Sequence, residues 1–149
     1  MTGGDIAAAQ PEMLRALAEF RHRLRQFQHF SETAAEKAGL HPQQHQLLLQ
    51  IAGAPEGTQV TVGYVAERLG LRHNSVVELS ERCAAAGLVA RRQDAADRRC
   101  VLLEVSPKGR KMLERLSIDH ARELNELAPR LIQALRQLRP HKAATLEAL

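Results

Sequence analysis

The run from Val62 to Val105 constrains the fold more than any other part of the chain. It opens in a short amphipathic helix, Val62 to Leu69, with Val62, Val65, Ala66 and Leu69 recurring at helical spacing. Gly70 and Leu71 make a tight turn, and a second helix is predicted from about Asn74 to Ala86 with Val76, Leu79 and Cys83 along one face. Gly87 ends it, because a glycine past a helix C-terminus takes positive φ without a Cβ clash. Leu88–Arg92 and Cys100–Val105 then read as short strands around the polar loop Gln93–Arg99. That pattern is a hairpin whose tip projects. A helix-turn-helix followed at once by such a hairpin predicts a mostly α chain with a small β-hairpin wing, an α+β winged helix-turn-helix.

Side-chain chemistry on these elements suits double-stranded DNA. Arg72, His73, Asn74, Ser75 and Glu78 lie at the start of the second helix, away from its apolar face. The first residues of a recognition helix are those that meet base edges in the major groove. Asn and Arg match adenine and guanine bidentately, Glu accepts from cytosine, and Val77 suits a thymine methyl. Asn74 is also the natural N-cap of that helix, a role that would engage part of its side chain. Between Arg68 and Arg99 stand seven arginines, Arg82, Arg91, Arg92, Arg98 and Arg99 among them, against four acids. The excess of three positive charges supplies a phosphate-facing term, and forked guanidinium groups also suit narrow minor grooves.

Two further motifs carry a resemblance. Asp94-Ala-Ala-Asp97-Arg98-Arg99 precedes an apolar strand, and Ser106-Pro107-Lys108-Gly109-Arg110 opens a helix. With Gly87-Leu88-Val89 and the helix start at Pro42-Gln43-Gln44, the chain from about Pro11 to Leu138 resembles the MarR family of bacterial winged-helix transcriptional regulators. The resemblance implies that Arg98 enters a minor groove, that Asp97 braces an arginine, and that Arg99 meets the DNA backbone. It also implies a homodimer on a pseudo-palindromic operator, a small-molecule effector bound between the dimer helices and the winged helix, repression as the mode of action, and a bacterial cytoplasm. His29 and His45 are candidate effector-lining residues.

The flanks fit a dimerising scaffold. Met13, Leu17, Phe20, Leu24, Phe27 and Ala34 form a coiled-coil-like seam on a helix over Pro11–Lys37. Ser106 caps a C-terminal helix with Pro107 at its first position, Pro129 is expected to kink or restart it, and Pro140 to interrupt it before a last turn over Ala143–Leu149. The expected organisation is a frayed segment over 1–10, dimerisation helices over 11–40 and 107–149, and the DNA-binding domain over 41–106. Gln59–Thr61 is a candidate third strand.

Other chemistries find less support. The sequence has no signature of a nucleophile elbow, phosphate loop or C-x-x-C pair, so no enzyme and no cofactor are expected. An aromatic content of 3% with no Trp speaks against a base-stacking platform. No long apolar run predicts a membrane span, and a net charge of +4 favours a polyanionic partner. His41 and His45 have a metal-compatible spacing, but they read as a loop residue and a helix-surface residue, so no metal is expected. Cys83 and Cys100 fit a reducing compartment. The alternatives are a winged helix used for protein–protein contact, or a metal- or redox-responsive regulator of the same fold.

Overall fold

A computed structural model of the chain describes the backbone of residues 3–138 and the side chains of residues 10–138. The elements are α1 (Gly3–Lys37), α2 (Pro42–Ala52), α3 (Val62–Leu69), α4 (His73–Ala85), β1 (Val89–Gln93), β2 (Val101–Val105) and α5 (Pro107–Gln137). The expectations for Pro140 and for Ala143–Leu149 lie outside the described residues. Among the described residues, no helix is long and apolar enough to cross a membrane.

The chain divides into two compact units, one of residues 32–119 and one of residues 1–31 with 120–149. In the first, the helical stripes anticipated from sequence meet in one core. Leu47, Leu48 and Ile51 of α2, Val62, Val65 and Ala66 of α3, and Val76, Leu79 and Cys83 of α4 are all buried. Leu88, Val89 and Leu103 close the core from the hairpin. Local chemistry caps α2 and α3. His41 caps α2 through a capping box: its Nδ1 accepts from the Gln43 amide at 3.2 Å, and its own amide donates to Gln44 Oε1 at 2.9 Å. Thr61 caps α3, its Oγ1 accepting from the Tyr64 amide at 3.0 Å. Gly70 stops α3 at φ 64°, a left-handed conformation that favours glycine.

β1 and β2 form an antiparallel hairpin that pairs Val89 with Val105 and Gln93 with Val101. The third strand reduces to a single bridge, Thr61 with Leu102, beside a 2.8 Å bond from the Leu103 amide to the Val60 carbonyl.

In the second unit α1 and α5 pack through Phe27, Phe30 and Ser31. The His120 ring lies edge-on to both phenylalanines, with centroids 5.9 and 5.3 Å away, and its Nε2 is 2.8 Å from Ser31 Oγ. Ala16 and Ala134 are buried here, while Met13 and Leu17 of the expected seam stay half-exposed.

Four expectations need correction. Asn74 does not cap α4: the helix begins at His73, Arg72 holds the N-cap position, and no side chain caps it. The turn decides this, since the Leu71 amide bonds back to the Ala66 carbonyl and leaves Arg72 to start the next helix. Pro129 does not restart α5, which runs through it to Gln137. A proline removes one backbone donor, and packing at Leu127 and Ala134 on either side holds the helix together. His45 is buried, not on the helix surface, because it lies three residues before Leu48 on the apolar stripe of α2. α1 also begins at Gly3, ahead of the expected start at Pro11, and takes in the helix-favouring run Ala7-Ala8-Ala9.

Candidate nucleic-acid interface

α4 and the hairpin pack against each other in the 32–119 unit, and both carry exposed arginines. His73, Asn74, Ser75 and Glu78 on the first two turns of α4 are exposed, as are Arg72 before them and Arg82 beyond. With the helix uncapped, the Asn74 side chain is not engaged by the helix end. Val77 is half-buried and packs on the core, so less of it remains for a base than the sequence suggested.

The loop between β1 and β2 is ordered by its two aspartates. Asp94 Oδ1 accepts from the Ala96 amide at 3.2 Å, and Asp97 Oδ1 accepts from the Arg99 amide at 3.0 Å. These are short-range side-chain turns of the kind Asp favours. The backbone closes the neck through the Asp94 amide to Cys100 O and the Cys100 amide to Asp97 O, both at 3.0 Å. Asp97 Oδ1 also pairs with Arg99 Nε at 3.4 Å, so the braced arginine is Arg99. Arg98 beside it is exposed and makes no hydrogen bond or ion pair among the described residues.

The two arginines of β1 part company. Side chains alternate across a strand. Arg91 therefore shares the core-facing side with Val89 and stands opposite Leu103, whereas Arg92 faces out. Arg91 Nη1 lies 3.6 Å from Glu81 Oε1 of α4. The alternation was readable from Val89 onward; the partner on another element was not.

A second feature escaped the sequence reading. The Ser-Pro-Lys-Gly motif clasps α5 to the end of α4. Ser106 Oγ donates to Gly87 O at 2.6 Å and accepts from the Gly109 amide at 3.1 Å, so the expected cap of α5 also anchors the α4 stop. Lys108 Nζ donates to Ala86 O at 2.9 Å, placing a cation at a helix C-terminus. A Cβ on Gly109 would collide with the Leu88 carbonyl and lie 2.9 Å from Val105 Cγ1, so this position demands glycine.

Both thiols are held protonated. Burial pushes Cys83 up to about 11. Cys100 is raised by desolvation, then by the charge and hydrogen bond of Asp97. A thiol in that state is a poor nucleophile near neutral pH. Of the two effector candidates, His29 is exposed on α1 in the 1–31 and 120–149 unit, and His45 is buried on α2 in the 32–119 unit.

This arrangement has known counterparts. The MarR-family sequence model matches residues 38–99, from just before α2 to the wing tip. Among solved structures, AbsC, a MarR family transcriptional regulator from Streptomyces coelicolor, superposes with a TM-score of 0.67 at 18% identity, covering 100% of this chain and 98% of that one. PcaV from Streptomyces coelicolor, solved with its natural ligand, gives a TM-score of 0.56 at 25% identity over 72% of this chain and 77% of its own. A mutant of MepR from S. aureus, bound to an oligodeoxyribonucleotide, gives 0.62 at 18% identity over 87% and 94%. No curated protein sequence is similar enough to be matched to the chain. Residues 38–99 are thus a MarR-family winged helix-turn-helix segment, in a chain whose described part has the fold of that family's transcriptional regulators.

Proposed function

We propose that this chain is a sequence-specific, double-stranded DNA-binding transcription regulator, a repressor that acts in the bacterial cytoplasm as a homodimer. The observation that carries the reading is the shared exposure of the first turns of α4 and the unengaged guanidinium of Arg98 at the wing tip. His73, Asn74, Ser75 and Glu78 read base edges in the major groove, and Arg98 enters the adjacent minor groove. Arg72, Arg82, Arg92 and Arg99 contact phosphates, joined by the uncapped amides at the α4 N-terminus. Asp97 orients Arg99 for that contact.

Two copies give two reading heads about one DNA turn apart, ~34 Å, on a pseudo-palindrome. Half-exposed Met13, Leu17, Ile132 and Leu135 on α1 and α5 provide the apolar surface for pairing. A small molecule releases the DNA; that PcaV is solved with its natural ligand supports a ligand-binding role for this fold. No catalytic role is assigned.

The test is a mobility shift with duplexes selected from a random library by the wild-type protein, repeated across salt concentrations. Log affinity should fall linearly with log salt. Arg98→Ala should cost about 1–3 kcal/mol on the selected duplex and relax preference at the bases it reads. Unchanged affinity and preference would remove Arg98 from the interface.

A further inference from the structure

We propose that Arg91 is a positioning residue, not a DNA contact: its ion pair with Glu81 sets the angle at which the wing leaves the recognition helix. The inference rests on the DNA-binding reading above and deepens it. Arg91 stands in the most arginine-rich part of the chain, yet its neighbours face outward and it does not. On β1 it shares the side of Val89 and lies opposite Leu103, which is 5% exposed, so its stem covers the core where the hairpin meets α4. Its side chain is 26% exposed, against 93% for Arg99. The guanidinium reaches Glu81 on the third turn of α4 at 3.6 Å, while its Nε is buried without a partner. One charged contact therefore ties the wing to the reading helix.

The pair has a second effect. Glu81 follows Glu78 by one helical turn, on an element meant to approach phosphates. An unpaired carboxylate there repels the DNA backbone, and Arg91 offsets that charge from within the protein. The structure separates two kinds of arginine that look alike in sequence. Arg92, Arg98 and Arg99 meet DNA, and Arg91 fixes where the other three arrive.

Two measurements on the intact chain test this. In the first, Arg91→Gln and Arg92→Gln are compared on the selected duplex over a salt series. Arg92→Gln should lower the salt slope by about 1, the mark of a lost phosphate contact. Arg91→Gln should weaken binding about tenfold at every salt concentration with the slope kept within about 0.3. A slope that drops by about 1 for Arg91→Gln makes it a phosphate contact and overturns the proposal.

The second measurement needs no DNA. Amide exchange at Asp94 and Cys100, which close the wing neck, should quicken in Arg91→Glu and recover in the charge-swapped Glu81→Arg/Arg91→Glu protein, while core amides such as Val65 report that the fold is intact. Exchange unchanged in the single variant, or no slower in the swap than in the single variant, overturns the brace. If the wild type selects no duplex, the functional reading fails, and the exchange series still decides whether the brace exists.

Discussion

Leu47, Leu48 and Val65 in the 32–119 unit show no surface to solvent, whereas Leu14, Leu17, Ile132 and Leu135 in the other unit are between 43% and 65% exposed. Both regions are helical and both carry regular apolar stripes. The difference is that α2, α3, α4 and the hairpin give one another faces to bury, while the 1–31 and 120–149 unit buries Ala16, Leu127 and Ala134 and leaves Leu14, Leu17, Ile132 and Leu135 largely outside. A winged helix finishes its core within one chain. The long helices leave Leu17, Ile132 and Leu135 exposed, within the surface proposed above for pairing.

The sharpest way to break this contrast is to truncate one leucine on each side. Leu47→Ala should cost about 2–5 kcal/mol in urea unfolding, at every protein concentration, because it opens a cavity in a filled core. Leu17→Ala should cost much less at high dilution, and its effect should grow with concentration as pairing contributes to stability. Equal and concentration-independent losses would mean that the two regions are not different in kind.

Next in size is Gly109→Ala. The added methyl meets the Leu88 carbonyl, so thermal unfolding should report a loss of about 1–3 kcal/mol. A neutral result would show that the clasp between α5 and the α4 stop yields freely.

Cys83 gives a smaller, pH-dependent effect. Its pKa is raised by burial, so the folded state favours the protonated thiol. That contribution is complete below the ordinary value of 9.0 and is lost as pH rises through about 11. Stability should fall by on the order of 1–2 kcal/mol across that window, and Cys83→Ala should flatten the dependence. An identical alkaline profile in the variant would place the thiol in contact with water.

The smallest effect is expected at the wing tip. The Asp97–Arg99 pair is exposed, so Asp97→Ala should change folding stability by no more than about 1 kcal/mol, while loosening the turn that sets Arg99. Calorimetry beside a duplex-binding assay separates the two outcomes.

Much of the fold was legible because short-range chemistry and burial agree. The stripe Val62, Val65, Ala66, the stop at Gly87 and the cap at Ser106 are each read from a few adjacent residues and each stands in the structure. The failures lie where the surrounding structure overrides a residue's own preference. Asn74 is the better capping residue, yet the geometry of the Gly70–Leu71 turn gives the position to Arg72. Pro129 breaks helices locally, yet packing carries α5 through it. Arg91 looks like its neighbours until the register of β1 against β2 turns it inward, and its partner is ten residues away on another element. The candidate interface was therefore readable as a set of residue types, and the division of labour among its arginines was not.

The central claim is that two copies of the winged unit address one duplex from one side. Hydroxyl-radical footprinting of the selected duplex, with the mass of the complex measured by sedimentation, tests it most directly. The account predicts two chains per duplex and two protected patches centred about one helical turn apart, ~34 Å. One chain per duplex, or a single patch, would contradict it.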